Sequence, residues 1–103
     1  MFTVHIEHPI SDLATWRTAF DRDPADRAGS GVRRYVVHQP VDDPRYVLID
    51  LDVETLEAAR SFLATMATVW GSASAAPALG GKPVTSILAV VDKAELGAVP
   101  GGG

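Results

Sequence analysis

The chain has 103 residues, the size of a single domain, and 47% hydrophobic with 21% charged residues is ordinary globular composition. Its 13 acidic and 9 basic residues give a net charge of −4, and no basic run exceeds the pair Arg33-Arg34, so we expect no nucleic-acid partner. The lack of cysteine excludes disulfides and thiolate chemistry, and the lack of a secretory pattern or membrane-length apolar stretch predicts a cytoplasmic protein with no membrane partner.

The first predicted element is a strand. Residues 2–8 alternate in polarity, with an apolar face that ends in His8 and a polar face that includes His5. This period of two is typical of a strand packed on one side. Pro9 ends the strand because proline has no amide donor.

A helix is predicted next. Ser11 or Asp12 can cap its N terminus, and an apolar stripe that includes Trp16 continues to about Arg22. An Asp-Pro pair then breaks the helix, and the next residues leave room for one more helical turn before a Gly-Ser-Gly triplet that is typical of a turn.

The middle of the chain holds two runs rich in β-branched and aromatic residues, at 32–39 and 45–51. They predict a hairpin. We predict that Arg34 lies opposite Asp50, because this register gathers the apolar side chains on one face. His38 then faces Tyr46 on the polar side. The long turn leaves room for a bulge that would change this register.

The clearest helix follows the hairpin. Asp52 or Thr55 can cap it, and apolar side chains then recur at spacings of three and four until Gly71 ends it. Residues 72–81 are mostly small and include a proline, a composition that predicts a loop or an irregular turn.

The last predicted strand is the apolar run 84–91, which we expect to be covered on both faces. Residues 92–103 have too little apolar surface to fold, so we expect them to form a frayed tail. The chain is therefore expected to form one domain over residues 1–91.

The order β-α-β-β-α-β predicts an α+β fold of the ferredoxin-like kind, an antiparallel sheet with two helices on one face. The other face is left bare. We expect strands one, three and four to carry apolar residues on both sides, so the bare face predicts pairing with a second copy of the chain.

Several segments along residues 1–91 carry a family resemblance: His8-Pro-Ile-Ser-Asp12 with Trp16 and Phe20, Gly31-Val-Arg-Arg-Tyr35, Asp42-Asp-Pro44, and Asp52 with Thr55-Leu-Glu-Ala-Ala59 and Phe62-Leu63. With these segments the chain resembles the dimeric α+β barrel superfamily. Within it, the chain is similar to small antibiotic-biosynthesis-monooxygenase-like and polyketide-cyclase-like proteins. The resemblance implies a ferredoxin-like homodimer.

The chain departs from the family's known sites. Haem-handling members use a histidine on the second helix, which has none here, so no haem is expected. The chain has no Asn, and only Trp70 matches the Asn, Trp and Tyr set of cofactor-independent monooxygenases. His5 matches the strand-one histidine of some cyclases and lyases, but no His or Tyr follows Tyr46 to complete their relay.

Four residues are the catalytic candidates: His8, His38, Arg34 and Tyr46. Imidazole titrates near neutral pH, and an Arg-Asp pair could hold an anionic or enolic substrate. Five residues are candidates for binding substrate: Trp16, His5, Phe62, Met66 and Trp70. The structural alternatives are a histidine that fixes a corner, a cross-strand ion pair and ordinary core packing. No metal site is expected, because His5 and His8 point to opposite strand faces.

The resulting hypothesis is an enzyme that needs no cofactor and acts on a small aromatic or polyketide-like molecule. The reaction would be monooxygenase-like or cyclase-like, with proton transfer as its chemistry. The alternative is a non-catalytic binder of a small apolar or aromatic ligand, or a structural homodimer. An interior filled by Trp16 and Trp70 would contradict the enzyme hypothesis.

Overall fold

A four-stranded antiparallel sheet forms the centre of the protein in this computed structural model, which describes residues 1–97. The elements are β1 Phe2–Pro9, α1 Leu13–Asp21, β2 Val32–His38, β3 Tyr46–Val53, α2 Leu56–Trp70, a short 3₁₀ helix Ala76–Ala78 and β4 Val84–Ala89. The strand order in the sheet is β2-β3-β1-β4. This arrangement confirms the predicted ferredoxin-like α+β fold, with strand ends that differ from the prediction by one or two residues.

Side-chain caps fix where both helices begin. The Asp12 carboxylate accepts the Thr15 amide at 2.7 Å, which decides between the two predicted caps of α1. The Thr55 hydroxyl accepts the Ala58 amide at 3.0 Å and starts α2. Each bond satisfies an amide that the first turn of a helix leaves unpaired. Gly71 caps the C terminus of α2, as predicted.

The core lies between the sheet and the two helices. Alternate residues of β1 and β3 are buried against it, and Ala59 and Phe62 of α2 and Trp16 of α1 close it from the other side. The buried strand positions are Val4, Ile6, His8, Val47, Ile49, Leu51 and Val53. The period-two pattern therefore predicted the core face of both central strands correctly.

The predicted hairpin register was wrong by two positions. Arg34 pairs with Asp52 instead of Asp50, and His38 pairs with Leu48 instead of Tyr46. A bulge between Val32 and Arg34 accompanies the shift. A slip of two residues leaves every side chain on its own face, so the apolar pattern does not distinguish the two registers.

The sheet face that the helices leave bare, called the open face below, is more polar than predicted. On this face β1 carries Thr3, His5 and Glu7, all polar, which contradicts the expectation of an apolar strand on both sides. β4 is an edge strand, exposed within the single chain except for the half-buried Ile87. The expectation that β4 is covered on both faces therefore fails for one copy of the chain.

Residues 92–97 have no regular secondary structure, and residues 98–103 of the predicted tail lie outside the described residues. Within residues 1–97, no helix has the length and hydropathy that a bilayer crossing requires.

Leu51 provides a test of the core. Its side chain is 1% exposed on β3, so Leu51→Ala should lower the free energy of unfolding by about 2–5 kcal/mol through lost burial and a residual cavity. Leu96→Ala removes the same atoms from a side chain that is 92% exposed and should change stability by less than about 0.5 kcal/mol. Urea unfolding of both variants measures the difference, and equal losses would contradict the assigned core.

Candidate functional site: the cavity between sheet and helices

A partly enclosed cavity of about 390 Å³ lies between the helices and the sheet. Its apolar lining comes from all layers of the fold: Ile6, Ile49 and Leu51 from the sheet, Trp16, Ala19 and Phe20 from α1, Phe62, Met66, Val69 and Trp70 from α2, and Ala75, Ala78 and Leu79 from the segment after α2. The two tryptophans form walls and leave the interior open. A cavity of this size and polarity suits a small, flat, apolar ligand.

His8 is the ionisable group that the sheet contributes to this cavity. It is the last residue of β1 on the core face before Pro9, and its side chain is 2% exposed. Nδ1 lies 2.7 Å from the carbonyl oxygen of Pro9. Since a carbonyl oxygen only accepts, Nδ1 carries the proton and donates it. The other ring nitrogen, Nε2, is therefore unprotonated when the imidazole is neutral.

One ring nitrogen of His8 is free of hydrogen bonds. Among residues 1–97, Nε2 has no hydrogen-bond partner, yet no fully buried side-chain nitrogen or oxygen is left unpaired. Nε2 is therefore not fully buried, and His8 is one of the residues that line the cavity. Burial lowers the pKa of His8 below 6.5, and the Pro9 hydrogen bond opposes this only in part. At neutral pH the site thus presents a neutral base in an apolar wall.

The backbone around Pro9 fixes the position of His8. The Pro9 carbonyl also accepts the Gly80 amide at 3.0 Å. A side chain at Gly80 would place its Cβ 2.9 Å from the carbonyl carbon of Ile10, closer than such atoms approach. Glycine is therefore required here by close packing of two backbones. The segment after α2, predicted to be a loop or an irregular turn, contributes Ala75, Ala78 and Leu79 to the wall of the cavity.

Three charged side chains that the sequence did not reveal lie at the α1 side of the cavity. They are Arg22, Asp23 and Arg27, from the end of α1 and the turns after it. Arg27 is paired with Asp23, with Nε 3.5 Å from Oδ1. Asp23 and Arg27 are four residues apart, a spacing that indicates an ion pair only within a helix, and the backbone here is not helical. Nothing in the sequence pattern places this pair beside the cavity.

A second polar cluster lies on the open face. His5 Nδ1 is 2.6 Å from Asp50 Oδ1, and His5 Nε2 is 2.7 Å from Glu7 Oε2. Tyr46 donates its hydroxyl to Glu7 Oε1 at 2.7 Å. The hydrogen bonds that His5 donates to Glu7 and then to Asp50 raise the pKa of His5 above 6.5, and the bond from His5 lowers the pKa of Glu7. The geometry fits an imidazolium between two carboxylates.

The predicted site residues fall into two groups. His8, Trp16, Phe62, Met66 and Trp70 all line the cavity. His5, Arg34, His38 and Tyr46 lie on the open face, so the structure does not bring the four catalytic candidates together.

The predicted pairing of His38 with Tyr46 is replaced by separate contacts. Tyr46 contacts Glu7, and Arg34 Nε donates to Asp52 Oδ2 at 3.2 Å. His38 is exposed beside a shallow groove of about 330 Å³. Within the described part of the chain, no three His, Asp or Glu side chains are arranged to hold a metal ion.

The sheet order, the two helices on one face and the apolar cavity define a ferredoxin-like α+β protein with room for a small molecule. Solved structures share this fold. The cofactor-independent oxygenase SnoaB from Streptomyces nogalater matches with a TM-score of 0.69 at 14% identity, over 89% of this chain and 94% of that chain. The monooxygenase ActVA-Orf6 of Streptomyces coelicolor, in complex with nanaomycin D, matches with a TM-score of 0.66 at 16% identity, over 93% and 92%.

A dimeric ferredoxin-like protein from an uncultured marine organism matches with a TM-score of 0.64 at 12% identity, over 90% of this chain and 97% of that chain. No protein-family model matches the chain, and no curated protein is similar to it in sequence. The predicted resemblance to ferredoxin-like, antibiotic-biosynthesis-monooxygenase-like proteins is thus confirmed as a likeness of fold.

The open-face cluster should make stability depend on pH. The pKa of His5 is raised in the folded state, so its contribution is complete below pH 6.5 and is lost as pH rises through that higher pKa. The stability difference between the wild type and His5→Gln should therefore shrink between pH 6 and pH 9. Urea unfolding across this range measures it, and a difference that does not change with pH would contradict a charged His5.

Proposed function

We propose that this protein is an enzyme that uses no cofactor, binds a small aromatic or polyketide-like molecule in the cavity, and removes a proton from it with His8. The observation that carries the proposal is His8 itself, a histidine that lines an apolar cavity, is kept neutral by burial and has no hydrogen-bond partner for Nε2 within residues 1–97. A base whose pKa lies below the working pH is deprotonated and ready to act.

The proton-transfer step needs an acidic ligand. A phenol, or a carbon acid next to a carbonyl group, gives its proton to Nε2, and the electron pair of the broken bond remains on the ligand as a phenolate or enolate. The reaction converts a neutral pair into an ion pair inside the cavity. Attraction between the imidazolium and the anion offsets the cost of burying both charges, and the Pro9 carbonyl stabilises the protonated ring through Nδ1.

Oxygenation of the ionised ligand is the reaction we favour. In a methylene substrate, the CH₂ group and O₂ become a carbonyl group and water, so the substrate supplies all four electrons and no cofactor is consumed. Support comes from two proteins of the same fold, one described as a cofactor-independent oxygenase and one as a monooxygenase in complex with nanaomycin D. Ring closure of the same enolate, without oxygen uptake, is the cyclase-like version of this proposal.

Substitution of His8 tests the proposed base. In His8→Asn the amide nitrogen can still donate to Pro9, but the side chain has no basic nitrogen. We expect turnover of anthrone, a flat ketone with an acidic methylene group, to fall by about 100-fold or more. An oxygen electrode and the absorbance of anthraquinone measure the rate. Because burial lowers the pKa of His8, kcat/KM in the wild type should stay constant as the pH falls from neutral to 6.5 and should decline only at lower pH, as His8 becomes protonated.

His38→Asn is the matched control, because it removes an exposed imidazole on the opposite face of the sheet. It should leave the rate unchanged. If His38→Asn lost activity while His8→Asn remained active, His8 would be excluded as the base. The catalytic site would then lie on the open face, around His38.

The alternative function is a non-catalytic binder. One observation favours it: in residues 1–97, the protonated nitrogen of His8 contacts a backbone carbonyl and no carboxylate, so no charged partner stabilises the imidazolium. Ligand protection from thermal unfolding without turnover would support this alternative.

We also propose that two copies pair through the open face. Val36, Val84 and Leu88 are 38%, 61% and 48% exposed there, around the polar cluster. The edge strand β4 leaves backbone groups unpaired within one copy. Solved proteins of this fold are described as dimeric ferredoxin-like proteins, which supports the pairing.

Leu88 offers a test of the pairing. Leu88→Glu places a charge among the exposed apolar side chains of the open face and should convert a dimer to a monomer, because burying an unpaired carboxylate is costly. Val41→Glu adds the same charge in the turn between β2 and β3, where the side chain is fully exposed, and should remain dimeric. Light scattering gives the mass in each case. A monomeric wild type at micromolar concentration would contradict the proposal.

A further inference from the structure

We propose that Arg27 is the anion-binding group of the cavity, and that its ligand carries an acidic substituent such as a carboxylate. This inference rests on the proposed function, since it assumes that a flat aromatic ligand occupies the cavity. It adds the chemical class of that ligand.

Aromatic rings hold the guanidinium of Arg27 in place. Its Cζ lies 3.9 Å from the centre of the Phe20 ring and 5.0 Å from that of Tyr35. Phe20 in turn stacks on Trp16 at 4.7 Å. These contacts leave the Arg27 side chain only 16% exposed. A guanidinium fixed in this way loses little conformational freedom when it binds a ligand.

Most donors of Arg27 are unused. A guanidinium has five N–H groups. Within the described residues, Nη1 donates one hydrogen bond to the Phe20 carbonyl at 2.8 Å, and Nε lies 3.5 Å from Asp23 in an ion pair too long for a good hydrogen bond. The other N–H groups of the Arg27 guanidinium have no partner within the described residues, and the Arg27 side chain is mostly buried and lines the cavity. Paired N–H groups of this kind match the two oxygens of a carboxylate.

The charges of the cavity also favour an anion. The ionisable residues of its described lining are Arg22, Asp23, Arg27 and His8. With His8 neutral, two positive charges and one negative charge leave an excess of one positive charge. Asp23 Oδ1 accepts the backbone amide of Arg27 at 2.9 Å, closer than the 3.5 Å that separates the same oxygen from the guanidinium Nε. The apolar walls strengthen the attraction for an anionic ligand.

Arg27 and His8 lie on different walls, one on the α1 side and one on the sheet. An acidic substituent held by Arg27 leaves the rest of the ligand against the apolar lining. The anion site therefore sets the orientation of the ligand, while proton transfer stays with His8.

The test uses two ligands of the same shape, naphthalene-2-carboxylate and naphthalene-2-carboxamide, titrated calorimetrically at pH 7.5. We expect the wild type to bind the carboxylate about tenfold or more tightly than the amide, the ratio that a charge-assisted hydrogen bond provides. Arg27→Gln should remove this preference, so that the ratio of the two affinities falls to about one. Arg17→Gln is the matched control, because it removes a charge from an exposed side chain of α1 that does not line the cavity, and it should keep the preference.

The outcomes separate the inference from the proposed function. Equal affinity of the wild type for the two ligands would overturn the role of Arg27 while the cavity remains a ligand site, and this comparison needs no variant to fold. Loss of the preference in Arg22→Gln with its retention in Arg27→Gln would also overturn it. Binding of neither ligand, with anthrone turned over, would overturn the anion site alone. Binding of neither ligand and no turnover of anthrone would contradict the proposed function as well.

Discussion

The alternation of side chains along β1 determines where each imidazole of that strand lies. β1 is an inner strand, paired with β3 along its whole length and with β4 from Phe2 to Glu7, so its register is fixed from both sides. Residues an odd number of positions apart must then point to opposite faces. His5 consequently meets carboxylates on the open face, while His8 meets apolar side chains beneath the helices.

The two histidines of β1 differ in protonation because their surroundings differ. Glu7 and Asp50 favour the charged form of His5, and burial favours the neutral form of His8, so the pKa values of the two rings move in opposite directions. The difference follows from desolvation on one face and ion pairing on the other. It explains why we assign the open-face cluster to stability and assembly and the cavity to ligand chemistry, although both contain histidine.

The sequence allowed the layers of the fold to be predicted, but not all of the site. Alternation identified the core face of β1 and β3, and helical spacing placed Trp16 and Trp70 on the cavity side. Arg27 escaped prediction because the turns before it depend on Asp23 and Asp26, whose φ angles of 52° and 48° are left-handed and unusual for residues other than glycine. The enzyme hypothesis required a pocket lined by Trp16 and Trp70, but the sequence did not decide whether the interior was open or filled by them. The openness depends on how far the helices stand from the sheet, which no periodic pattern specifies.

The Pro9 carbonyl joins two parts of the molecule that would otherwise be independent. It accepts one hydrogen bond from the ring of His8 and one from Gly80, which lies at the end of the cavity wall that follows α2. Because both bonds end on one oxygen, the atom that sets the tautomer of His8 is held in place by the segment after α2 as well as by β1. Two segments far apart in the chain therefore share control of which nitrogen of His8 carries the proton.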